Sequence, residues 1–157
     1  MAKTRSKMNA IDLLKEDHAK VKKAFKEFEE MDRSDTETCR QLIQTVCEDL
    51  KVHTTLEEEI FYPAVRAAIE DEDIMNEAAV EHETAKMLIE HLENAGPDDP
   101  NYFATFTVLG EYVMHHVKEE EGEMFVEAKK AEDLDLDALG EQMKTRKEEL
   151  VGQSEQA

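Results

Sequence analysis

The chain has 157 residues and carries 39 acidic against 19 basic side chains, for a formal net charge of −20. That length suits one domain with its own core, and so acidic a surface repels nucleic acid and anionic lipid, which argues against both as partners. Hydrophobic content of 40% with sustained periodicity argues against disorder, and only five Gly and three Pro point to helices.

Lys3, Arg5 and Lys7 have no apolar stretch behind them, so no secretory signal is visible. The first amphipathic segment runs from about Ile11 to Met31, with a stripe of Ile11, Leu14, His18, Val21, Phe25 and Phe28. Asp32, Arg33, Ser34 and Asp35 break it, and Ser34, Asp35 and Thr36 are candidate N-caps for the next helix. The second segment, about Thr38 to Ile69, reads Val46, Leu50, His53, Glu57, Ile60 and Ala64, and Pro63 is expected to kink it. Cys39 and Cys47 sit about 12 Å apart along this helix, too far for a bridge. They fit a packing role in a reducing cytosol.

Asp71, Glu72 and Asp73 precede the third segment, about Ile74 to Leu92, whose stripe is Met75, Ala78, His82, Ala85, Ile89 and Leu92. Asn94 to Asn101 is a break containing Gly96, Pro97 and Pro100, with Asp99 expected as cap and Pro100 as the first helical residue. The fourth segment, about Asn101 to Lys130, reads Phe106, Leu109, Val113, His116, Glu120 and Met124. A last segment, about Asp137 to Val151, sets Leu139, Met143 and Leu150 on one side as a short fifth helix. No apolar run approaches the roughly 20 residues that cross a bilayer, and a cytoplasmic location is expected. Short links make sequential helices antiparallel, so the expected fold is an all-α, up-down-up-down four-helix bundle forming a single domain.

Each stripe is interrupted only by His, or by His and Glu, and the interruptions repeat. His53 and Glu57, like His116 and Glu120, form His-x-x-x-Glu; the copies are offset by 63 residues. His18 lies 35 residues before His53, and His82 lies 34 before His116. Residues four apart share a helix face, so each pair can aim at one spot. Four imidazoles and two carboxylates in the driest layer would be costly unless cations balance them. The donors suit Fe best, then Mn or Zn. His115, five before Glu120, is the rival of His116, but repeat and stripe favour His116; His91 falls on the opposite face. Glu58, Glu59, Glu119 and Glu121 are expected to be solvated, with one available to hold an imidazole N–H. Tyr112, one turn before His116, could approach the site, but ordinary packing is the expected role.

These motifs resemble the hemerythrin-like, HHE cation-binding family. The resemblance rests on Asp17-His18, on His53 through Pro63 (HTTLEEEIFYP), on Glu81-His82 and on His115 through Phe125 (HHVKEEEGEMF), within a match from about residue 10 to 150. It implies a non-heme di-iron site, oxo- or hydroxo-bridged, with His18 and His53 on one iron, His82 and His116 on the other, and Glu57 and Glu120 bridging. Oxygen-carrying hemerythrins have a fifth histidine four residues after the counterpart of His82, and here that position is Lys86. Lysine is a poor ligand unless deprotonated, which leaves the second iron short of a protein ligand. The resemblance then favours reaction with O2, peroxide or nitric oxide, in oxidative-stress handling or sensing with a separate protein partner, over reversible oxygen carriage.

Overall fold

The computed structural model describes residues 8–156, with side chains to 153; Lys3, Arg5 and Lys7 lie outside the described residues. Helix α1 spans Ala10–Glu30 and starts in a capping box, in which Asn9 and Asp12 each accept the other's backbone N–H. Helix α2 spans Thr36–Leu56, capped by Asp35 as expected, and passes without a break into a π-helical turn, Glu57–Phe61, and then α3, Tyr62–Ala68. Helix α4 is Glu72–Asn94. Helix α5, Tyr102–Glu119, repeats the pattern of the first half, with a π turn at Glu120–Met124 leading to α6, Phe125–Lys130. Helix α7, Leu136–Gln156, is as long as α1 and outruns the expected 137–151.

The α4–α5 break differs from expectation. Asp99 accepts the N–H of Asn101 at 2.8 Å within a turn, and Asn101, not Asp99, is the N-cap. Pro100 therefore lies in the turn and not at the head of the helix.

Two apolar clusters show how the helices alternate. One joins the C-terminal half of α1 (Val21, Phe25, Phe28) to the N-terminal half of α2 (Cys39, Ile43, Val46, Cys47, Leu50). It also takes in the C-terminal half of α4 (Ala85, Ile89, Leu92) and the N-terminal half of α5 (Tyr102, Phe106, Leu109). The other gathers the opposite ends, with Ile11, Leu14, Leu56, Phe61, Val65, Met75, Met124 and Phe125, and is closed by Leu139 and Met143 of α7. Such end-to-end matching requires an antiparallel up-down-up-down bundle. Cys39 and Cys47 are free and buried in the first cluster, and burial pushes the Cys47 thiol up to about 12. They pack, as expected. At Gly140, an added Cβ would come within 2.7 Å of the Met8 carbonyl, so only glycine lets α7 sit so close to the start of α1.

The π turns change the packing phase. A regular α-helix continuing past Glu57 would turn Ile60 and Ala64 inward. Instead Phe61, Tyr62 and Val65 are buried, while Ile60 and Ala64 are only partly so. The N–H groups of Tyr62 and Phe125 reach back five residues, to the carbonyls of Glu57 and Glu120. Pro63 is not the cause: the second half makes the same turn with Val126 in that place. The expected proline kink is replaced by a wide turn that both halves share and that starts at the buried glutamate.

Candidate metal centre

Between the two apolar clusters lies a layer of polar side chains, and it brings together all six residues singled out in the sequence. Helix α1 supplies His18, α2 His53, α4 His82 and α5 His116; the two π turns supply Glu57 and Glu120 at their first positions. The donor atoms fall into two groups, one of His18, His53, Glu57 and Glu120, the other of Glu57, His82 and His116, with the atoms of each within 4.8 Å of one another. Glu57 Oε1 is 3.2 Å from His53 Nε2 and 3.1 Å from His82 Nε2. Glu120 also faces one imidazole of each group, through Oε1 at 3.2 Å from His18 Nε2 and Oε2 at 3.0 Å from His116 Nε2. Each carboxylate thus spans both groups. His115 stays outside, its side chain 62% exposed against 12% for His116.

The outer nitrogens are also fixed. His53 Nδ1 lies 3.0 Å from Asp17, His116 Nδ1 2.7 Å from Glu81, His82 Nδ1 2.8 Å from Glu58 and His18 Nδ1 2.7 Å from Glu121. A carboxylate only accepts, so each Nδ1 must carry a proton, and the Nε2 lone pair of a neutral ring then faces the centre. That is the arrangement by which metal-binding histidines are aimed. Glu58 and Glu121, expected to be solvated, are therefore imidazole partners, and Asp17 and Glu81 join them. Glu59 and Glu119 do pair outside, with Arg146 and His115. Lys86 reaches Glu58 at 2.5 Å and does not enter the layer.

Tyr62 is the residue that helical spacing missed. Turned inward by the π turn, its hydroxyl donates to Glu120 and lies 3.1 Å from His82 Nε2 and 3.0 Å from His116 Nε2. Burial, then the nearby Glu57 and Glu120 carboxylates, hold the phenol well above its ordinary pKa. The repeat places Phe125 at the matching position, where its ring stacks on His18 with centroids 5.9 Å apart. The two groups are thus related by the repeat but not identical, one beside a phenol and the other beside a benzyl ring.

Electrostatics show what the layer lacks. Burial depresses the pKa of His53, but the Glu57 carboxylate, Asp17 and Glu120 outweigh it and raise it to about 10. His116 shows the same balance and also rises to about 10, its burial overcome by Glu120, Glu57 and Glu81. Burial raises Glu57, yet His53 and the other partners bring it well below the carboxylate range. Protons on the imidazoles thus stand in for positive charge between two buried carboxylates. Even so, His18 Nε2, Glu57 Oε2 and Glu120 Oε1 are buried without a hydrogen bond. Orphaned acceptors facing each other call for a cation, and nitrogen and oxygen donors of this kind fit transition metals. A cavity of about 30 Å³ adjoins the layer, lined by Val21, Leu50, Ala85, Ile89 and Val113. Tyr112 lines it too, at 47% exposure, so it approaches the site from the surface and is not a packed core residue.

Comparison with known proteins gives the family and the fold. Residues 9–151 match the family profile "Hemerythrin HHE cation binding domain". A solved structure, the Hemerythrin HHE cation binding domain-containing protein of Mycobacterium kansasii (Rv2633c homolog), superposes with a TM-score of 0.78 at 26% identity, covering 93% of this chain and 89% of that one. A curated relative, a DNA nickase of Nostoc sp., is 30% identical over 118 residues; these are 75% of this chain but only 33% of the relative, so the chain spans about a third of that protein's length. Among the described residues no helix is long and apolar enough to cross a membrane. With the profile covering nearly the whole chain and the fold shared, the chain belongs to the hemerythrin HHE cation-binding family.

Proposed function

We propose that the chain is a non-heme di-iron protein that binds or reacts with O2, peroxide or nitric oxide, in an oxidative-stress or sensing role. The observation that carries this reading is the twofold layer itself, in which two pairs of inward Nε2 atoms face two shared carboxylates with orphaned oxygens. His18 and His53 would hold one metal and His82 and His116 the other, with Glu57 and Glu120 between them. Tyr62 would offer an oxygen to the second position, where Lys86 replaces the histidine of oxygen carriers. Iron, favoured over Mn or Zn by mixed imidazole, carboxylate and phenol donors, would supply one-electron chemistry toward small ligands.

The protein's own side chains do the rest. Asp17, Glu58, Glu81 and Glu121 keep the imidazoles aimed, and the apolar walls of the cavity exclude bulk water. A space of about 30 Å³ has room for a molecule of a few atoms, which supports a small ligand. The charge of −20 argues against carrying over the DNA chemistry of the Nostoc relative.

The test is anaerobic addition of Fe(II) to metal-free protein, then elemental analysis, then exposure to air. About two irons per chain, and a near-ultraviolet band that appears with oxygen, are expected for such a carboxylate-histidine site. Retention of one iron or none would overturn the reading.

A further inference from the structure

The duplication covers α1 through α6, but α7 occurs once. It nevertheless reaches the centre of the bundle. Lys147 Nζ contacts Asp17 Oδ1 at 2.7 Å, Asp17 Oδ2 holds His53 Nδ1 at 3.0 Å, and His53 Nε2 faces Glu57 at 3.2 Å. The second half backs one of its imidazoles with a lysine as well, since Lys86 holds Glu58 behind His82. That lysine belongs to the repeat, on α4. Its counterpart in the first half is Lys22, an exposed residue of α1. Glu121, behind His18, has no lysine contact among the described residues, and Glu81, behind His116, has only the distant His115 ring at 3.8 Å.

Lys147 differs from Lys86 in its surroundings. The Lys147–Asp17 pair is 37% and 12% exposed, against 50% and 36% for Lys86 and Glu58. A drier pair is less screened and holds its geometry better. We propose that Lys147 is a positioning residue that makes α7 part of the His18–His53 metal position: by pinning Asp17 it fixes the acceptor of the His53 Nδ1–H, and through it the ring that faces the metal. The second position has its lysine on α4, where Lys86 holds Glu58 behind His82. Docking of the last helix thereby sets the retention of one metal of the two. The proposal rests on the two-metal reading for this consequence, and on geometry alone for the hold on His53.

Two measurements on the full chain separate these levels. In metal-free Lys147→Met, the hydrogen-bonded Nδ1–H resonance of His53 should move while that of His116 stays, and Lys147→Arg should restore it. Arg146→Met, which breaks a different contact of α7, that with Glu59, should leave both resonances in place. Lys147→Gln replaces the Met variant if that one does not fold. In iron-loaded protein challenged with a chelator, Lys147→Met should lose one of two irons about tenfold more readily, the low end for disturbing the support of a ligand. An unmoved His53 resonance, or equal weakening of both irons, overturns the proposal. Wild-type protein that fails to load two irons overturns the two-metal reading instead, and the His53 resonance then decides the positioning role by itself.

Discussion

Metal-free protein should lose stability steeply as pH rises through the range just above neutral. His53 and His116 have ordinary values near 6.5 and are raised to about 10 in the fold. A group whose folded pKa is raised contributes stability that is full below its unfolded value and is lost as pH rises through the folded one. The window is therefore about 6.5 to 10, and within it the folded state holds up to two protons that the unfolded chain has released. Each proton gives a slope of about 1.4 kcal/mol per pH unit, so the two together reach about 2–3 kcal/mol between about pH 7.5 and 8.5. For a chain of this size that corresponds to a fall of roughly 5–10 °C in melting temperature. The assay is a set of thermal and urea melts across this window, with chelator or with bound metal. Metal replaces the protons as counter-charge, so the loaded protein should show a nearly flat profile over the same window and release protons on loading. A chelated protein equally stable at both ends would refute the idea that imidazolium balances the buried carboxylates.

Two further outcomes rest on single contacts. Tyr62→Phe copies the Phe125 of the other half, so the ring should fit, but the buried Glu120 loses its donor; the metal-free protein should fall by about 1.5–3 kcal/mol in urea melts. The ferric form of that variant should also lose any visible absorption from phenol bound to metal while keeping its metal count, which spectroscopy with elemental analysis would check. Gly140→Ala places a methyl 2.7 Å from the Met8 carbonyl and 2.9 Å from Ala10 N, and should cost about 1–3 kcal/mol by urea denaturation, since backbone has to move.

The residues that meet in the centre were legible because helical spacing is rigid. His53 and Glu57 lie one turn apart whatever surrounds them, and the 63-residue repeat carries the same pair to His116 and Glu120. The stripes also located the helices to within a few residues. The segment just after Glu57 was not legible. The amphipathic pattern continues plausibly through Ile60 and Ala64, and nothing in the residue types signals that the backbone bonds there change from four residues to five. Tyr62 was hidden for that reason, although it lies in the same motif as His53 and Glu57. The imidazole partners were obscured differently. Asp17 adjoins His18 but serves His53 on another helix, and Glu121 adjoins Glu120 but serves His18, pairings that only the packed bundle defines.

The wide turn has a consequence for anyone who edits or transplants this site. It acts as a one-residue spacer within a continuous rod. Deleting Ile60 would restore an unbroken α-helix and set Phe61, Tyr62 and Val65 at the third, fourth and seventh positions after Glu57, so the residues now buried would keep the inward face. A straightened helix that kept Ile60 would instead turn Ile60 and Ala64 inward. A grafted motif that ends at the glutamate would carry the donors but leave out the odd residue that turns the phenol inward.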